Sequence, residues 1–197
     1  MRKVTVIIWL FLLFGTIAAL FWRNEWVYNL PTPIPENYEM TKAGKIIDLP
    51  EQIRTNNNPT FLHFFNPRCP CSRFNMPHFK SLVKEYGGKI NFVIVVMSNK
   101  EYSVKEIQDK FNLAIPVLFD TSITACCGVY STPQAVLIDE NRRLFYRGNY
   151  NRTRYCTDKK SEYAKIAINA LLQHTTNIFF DKHALIAYGC QLPKCTN

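Results

Sequence analysis

The sequence predicts an α/β domain with a mixed central sheet and helices on both faces, placed behind an N-terminal transmembrane helix. Three observations carry that reading. Two apolar runs, residues 61–65 and 90–97, bracket a helical stretch and form one βαβ unit. Residues 134–138 and 143–147 are joined by Asp139-Glu140-Asn141 and read as a hairpin. An uncharged run, residues 4–22, follows Arg2 and Lys3 and is long enough for a hydrocarbon core, which needs about 20 residues.

Taken in order, the N-terminal run comes first. A cleaved signal peptide has a shorter apolar stretch ending in a small-x-small site. Here Ala18 and Ala19 are followed by Leu20, Phe21 and Trp22, which favours an uncleaved anchor. Trp22 and Trp26 suit the headgroup belt, and the positive amino terminus is expected to stay in the cytoplasm. Leu30-Pro31-Thr32-Pro33-Ile34-Pro35 cannot form a helix and predicts a stiff, extended spacer that holds the domain off the membrane. The chain thus divides into an anchor (1–23), a Pro-rich linker (24–44), a folded domain (45–175) and a Cys-containing tail (176–197).

Within the domain, residues 61–65 form a buried strand that stops at Asn66-Pro67. Residues 71–86 suit a helix closed by Gly87-Gly88, and residues 90–97 a second buried strand. Ser103-Val104-Lys105-Glu106 has the capping-box pattern and opens a helix to about Phe111. A short strand at 116–119, a small helix within 120–129 and the hairpin follow. A last helix at 161–173 places Tyr163, Ile166, Ala167, Ala170 and Leu171 on one face.

Composition bounds the function. Hydrophobic residues make up 47% and charged residues 20%, which describes a globular chain. The net charge is +9, but the basic residues are scattered and none interleave with aromatics as a single-strand groove requires, so no nucleic-acid role is expected. Seven cysteines leave at least one thiol outside any intramolecular disulfide. With an export signal, that richness points to an oxidising compartment.

The chemistry centres on Cys69-Pro70-Cys71-Ser72, where the first strand hands over to a helix. A helix N-terminus stabilises a thiolate, and Arg68 and Arg73 push the same way. Thiolate is the attacking species in disulfide exchange.

These residues carry a resemblance. Phe64-Phe65-Asn66-Pro67-Arg68-Cys69 resembles the strand and approach to the thioredoxin active site. Pro77 lies where thioredoxins kink the active-site helix, and Thr132-Pro133 resembles their cis-proline loop. The pattern is most similar to the membrane-tethered TlpA and ResA-like thioredoxins of the AhpC/TSA redoxin superfamily. The resemblance implies the thioredoxin fold and a periplasmic thiol-disulfide oxidoreductase, single-pass in a bacterial inner membrane. It implies catalysis by Cys69, Cys71 and Pro133, with Pro70, Ser72, Arg68, Arg73, Thr132 and Pro77 in support. Its partners would be exported protein thiols or disulfides and an unidentified redox protein, with no cofactor and no metal. The departure is Ser72 at the usual resolving position, giving C-x-C in place of C-x-x-C. A disulfide across Pro70 alone would be strained and therefore oxidising.

Other cysteines leave choices open. One of Cys126 and Cys127, six to seven residues before Pro133, is a candidate resolving thiol or else a core residue, and a vicinal disulfide between the two is a further choice. Cys190 and Cys195 bracket a short loop and suggest a structural disulfide, with Cys156 able to replace either partner. His78 follows Pro77 and reads as a thiolate-tuning group, a metal ligand or an ordinary helix residue, and His63 as a strand residue. Two rival functions are a Sco-like copper chaperone and a thiol peroxidase. The chaperone lacks its downstream histidine, and the peroxidase lacks the Thr or Ser that Asn66 replaces.

Overall fold

β1 (Thr60–Phe65) runs through the middle of the sheet, and all six of its residues are buried. The computed structural model describes residues 2–53, 56–175 and 178–192. Burial on both faces explains the unbroken apolar run. Phe61 and Phe65 enter the core beneath α2 (Pro70–Tyr86), while Leu62 and Phe64 enter a second core on the opposite face of the sheet. β2 (Asn91–Val96) pairs parallel with β1, and β3 (Val117–Leu118) parallel with β2. β5 (Gln134–Ile138) runs antiparallel to β1 and carries β6 (Leu144–Gly148) as its hairpin partner. The five strands stand in the order β3-β2-β1-β5-β6, a mixed sheet as the sequence predicts.

Helices cover both faces. α2 buries Phe79 and Leu82 in the first core. α3 (Val104–Phe111) opens with a complete capping box: Ser103 Oγ accepts from Glu106 N at 3.1 Å, and Glu106 accepts from Ser103 N at 2.7 Å. α4 (Ser122–Cys127) packs Ile123 and Cys127 against the opposite face. α5 (Tyr163–Leu172) follows a single 3-10 turn at Lys159–Ser161. Its buried face is Tyr163, Ala164, Ala167, Ile168, Ala170 and Leu171. Ile166, expected on that face, is 39% exposed, because the stripe centres one residue further along the helix.

α1 (Arg2–Asn24) buries none of its side chains and, among the described residues, is the one helix long and apolar enough to cross a membrane. The linker differs from the expected stand-off spacer, because it lies along the domain. Thr32 is 4% exposed, and its N–H donates to the Ala187 carbonyl at 2.8 Å. Extended Pro-rich backbone makes no internal hydrogen bonds, so its free groups take partners elsewhere.

Residues 178–192 also fold back. Asp181 caps α6 (Lys182–Leu185) by accepting from His183 N and Ala184 N. Ala184 and Ala187 are fully buried. The chain then forms β7 (Cys190–Gln191), which pairs antiparallel with β4 (Ser131–Thr132).

Candidate active site

Asn66 shapes the turn between β1 and α2. Its Oδ1 accepts from Arg68 N at 2.9 Å, its carbonyl accepts from Cys69 N at 3.0 Å, and its N–H donates to Ser72 Oγ at 3.3 Å. Cys69 is the N-cap of α2, with extended backbone and Pro70 at the first helical position. A proline suits that place because the first helical N–H has no intrahelical acceptor. The cap position sets Cys69 where the helix dipole favours an anion.

Across from it lies the Thr132–Pro133 peptide bond, which is cis. Cys69 Sγ is 3.6 Å from the Thr132 carbonyl oxygen, the acceptor that a reduced thiol would meet. Both Cys69 and Cys71 are 2% exposed, and Ser72 is fully buried. Arg68 and Arg73 flank the turn in solvent, and Pro77 sits inside α2 on its exposed side.

Cys69 is bonded to Cys190, 121 residues away, with the two Cα atoms 6.1 Å apart. Two expectations change. The disulfide does not close across Pro70, and Cys71 is a free buried thiol. Cys190 pairs with neither Cys195 nor Cys156, because β7 lays it against Thr132 and over the start of α2. Cys156 is free and donates its S–H to Asn75 Oδ1 at 3.0 Å. Burial pushes its pKa up to about 12. Cys195 lies outside the described residues.

Cys71 remains part of the cluster: the sulfurs of Cys69, Cys71 and Cys190 all lie within 4.8 Å of one another. Burial raises the Cys71 pKa, and the charge of Arg154 opposes that rise. Arg154 was not visible as a site residue in the sequence. Its guanidinium covers the rings of Phe74, Tyr28 and Tyr155, and it donates to Asn24 O at 2.9 Å and to Glu25 at 3.2 Å. Cys71, Asn75, Pro133, Tyr150, Arg154 and Cys156 line a cavity of about 240 Å³.

Cys127 is fully buried in the α4-side core, where burial pushes its pKa up to about 12. Cys126 is exposed, and its carbonyl accepts from Thr41 Oγ1. The two are free thiols and not a vicinal disulfide. His78 is buried against Tyr150 and lies 4.0 Å from Glu162, with its pKa lowered by burial. His63 stacks on Phe79 and bonds Tyr150 Oη at 2.6 Å, which makes it a core residue.

The residues that seat Cys190 carried no sequence signal apart from one glycine. Asn149 Nδ2 donates to the carbonyls of His183 and Ile186, both at 2.6 Å, and Asn149 Oδ1 accepts from Tyr188 N at 3.4 Å. A Cβ on Gly189 would stand 2.4 Å from the Thr132 carbonyl oxygen, so only glycine allows that approach.

Comparison with known proteins gives the same fold. The thioredoxin-like protein YneN of Bacillus subtilis (strain 168) is 34% identical over 83 residues, which are 40% of this chain and 49% of that protein. The chain therefore spans about half the length of the curated relative it matches. A hypothetical protein from Sinorhizobium meliloti 1021 superposes with a TM-score of 0.64 at 18% identity, covering 79% of this chain and 96% of the other. An uncharacterized conserved protein from Geobacillus kaustophilus gives 0.62 at 19% identity, covering 82% and 97%. A thioredoxin-like protein solved in its oxidized form gives 0.50 at 19% identity, covering 74% and 98%. The fold is the thioredoxin fold. Residues 38–191, a span that holds Cys69, the cis-proline loop and Cys190, match one family model, and the chain belongs to that family, described as "Domain of unknown function (DUF6436)".

Proposed function

We propose that the chain is a thiol-disulfide oxidoreductase in which Cys69 is the exchanging sulfur. One observation carries this reading: Cys69 stands in a disulfide at the N-terminus of α2, facing the carbonyl before a cis-proline. A thiol there has its thiolate favoured by the helix dipole, and a disulfide there has a sulfur open to exchange once its partner leaves. Pro133 shapes the facing loop, and Cys71 is a third sulfur within reach. Pro70, Ser72 and Thr132 hold the geometry around the exchanging atom.

The clients are thiols or disulfides of exported proteins, and the chain sits with the TlpA and ResA-like group. α1 anchors it in a bacterial inner membrane with the domain in the periplasm. The docking of Arg154 onto Asn24 and Glu25 supports a reactive end held near the bilayer, where a membrane redox protein could meet it.

The test is turnover of a glutathionylated peptide by the full chain in detergent. Cys69→Ser should lower the rate by about 100-fold or more. Turnover by Cys69→Ser at the wild-type rate overturns the assignment.

A second reading, Cu(I) handling, rests on the three clustered sulfurs, which in the reduced chain would form a soft thiolate set. Stoichiometric Cu(I) uptake by the reduced chain, with no peptide turnover, would select it.

A further inference from the structure

We infer that Cys190 is the resolving cysteine of Cys69, and that residues 188–192 are a built-in substrate mimic which a cysteine-containing client peptide replaces on the Ser131–Thr132 edge. The inference rests on the exchange reading above and names its second sulfur and its substrate class.

The segment is held as an extended peptide would be. Cys190 lies opposite Thr132 and Gln191 opposite Ser131 in an antiparallel ladder. This is strand addition, in which the main chain supplies most of the binding and the side chains supply the choice. Ser131 Oγ donates to the Cys190 carbonyl at 3.2 Å. Thr32 from the linker closes the other side, bonding Ser131 Oγ at 3.0 Å and the Gly189 carbonyl at 3.2 Å. Gly189 permits the close backbone approach to Thr132. These contacts engage backbone or small side chains, so another extended peptide with a small residue before its cysteine fits the same edge.

The segment is also tethered so that it can return. Asn149 holds residues 183–188 from one side, and Ala184 and Ala187 are fully buried. Beyond that fixed point, among the described residues, the chain is held by the two-residue ladder, the Ser131 and Thr32 hydroxyls on the Cys190 and Gly189 carbonyls, the disulfide and a partly buried Leu192. A short tether gives the Cys190 thiol a high effective concentration at Cys69. Cys71, in the same three-sulfur cluster, is the competitor that the experiment below separates, and two other free cysteines are placed less well. Cys127 lies in the α4-side core, and Cys156 is engaged with Asn75.

The electrons balance between client and protein. In the reducing direction, the Cys69 thiolate attacks one client sulfur, and the other leaves as a thiolate. Cys190, as thiolate, then attacks Cys69 Sγ. The Cys69–Cys190 bond forms, the mixed disulfide breaks, and the second client sulfur leaves and takes up a proton. The client gains two electrons and the cysteine pair loses two. A dithiol reductant restores the pair, and the reverse sequence oxidises a client dithiol.

The experiment uses the full chain in detergent. The probe is the peptide Ala-Tyr-Gly-Cys-Gln-Leu, with its cysteine in a mixed disulfide with glutathione. Cys190→Ser should accumulate the peptide–Cys69 adduct at least about tenfold over wild type, and Cys71→Ser should not. Accumulation by Cys71→Ser with normal cycling by Cys190→Ser makes Cys71 the resolving thiol and overturns the inference, while exchange itself stands. Absence of any adduct or turnover in the wild type overturns both, because the exchange reading has then failed. A second arm needs no variant. The same peptide with serine for cysteine should bind the reduced wild-type chain at least about tenfold tighter than the oxidised chain. Equal binding to both removes the substrate mimic.

Discussion

Cys190 lies directly opposite Thr132 in the β4–β7 ladder. The partner of the Cys69 disulfide and the residue before the cis-proline are therefore cross-strand neighbours. Forming the Cys69–Cys190 bond and closing the peptide edge become one event, and changes to the ladder should register at the sulfur.

Gly189→Ala tests that coupling. Its Cβ would stand 2.4 Å from the Thr132 carbonyl, so β4 and β7 must move apart. Weakening the closed, oxidised form makes it easier to reduce. A cost of about 1.4 kcal/mol corresponds to a midpoint about 30 mV more positive. Equilibration of the variant in glutathione buffers measures the shift.

Asn149→Ala removes two part-buried hydrogen bonds, to the carbonyls of His183 and Ile186, and one acceptor for Tyr188 N. Leaving such groups unpaired costs about 1–3 kcal/mol. For a chain of this size that lowers Tm by roughly 2–12 °C. Thermal unfolding of the full chain checks it, and Cys190 should alkylate faster under mild reduction.

Cys71 should be a slow thiol. Burial raises its pKa, so its alkylation at pH 7 should lag behind that of exposed Cys126 and gain as the pH rises. Arg154→Met removes the charge that opposes the rise and should slow Cys71 further. Each unit of pKa increase lowers the thiolate fraction about tenfold. Mass-spectrometric labelling against pH reads both effects.

His63 predicts an acid-side loss of stability. Burial lowers its pKa to about 3, whereas an unfolded histidine titrates near 6.5. Below 6.5 the unfolded chain takes up a proton that the folded chain refuses. This contribution is complete above about 6.5 and is lost as the pH falls toward 3, by about 1.4 kcal/mol per unit. His78, also lowered by burial, acts with the same sign. Urea unfolding at pH 7.5 and 5 should show the loss, and His63→Phe should reduce it by about 2 kcal/mol.

The legible parts of this chain were those whose signal is local. The apolar runs became β1 and β2 because both faces of each are covered, and Ser103 with Glu106 gave its capping box directly. The place of Cys69 at the handover from strand to helix followed from a strand ending at Asn66-Pro67, although the helix begins at Pro70 rather than at Cys71, which makes Cys69 its N-cap. The partner of Cys69 did not follow. Cys190 and Cys195 are close in sequence and suggest a short loop, but a disulfide obeys geometry. The geometry here is set by a ladder of two residues, too short to leave a period-2 pattern. Asn149 and Thr32 fix the segment through backbone carbonyls, so nothing in the segment's own side chains announces them. Arg154 reaches Cys71 through tertiary packing alone.

The most direct measurement is a thiol map across graded glutathione buffers. The full chain is equilibrated, alkylated and digested without reduction. Cys69 and Cys190 should become labelled together in a single two-electron transition, with a Cys69–Cys190 cross-linked peptide on the oxidised side. A Cys69–Cys71 loop, or Cys69 free at every potential while Cys190 pairs elsewhere, would contradict it.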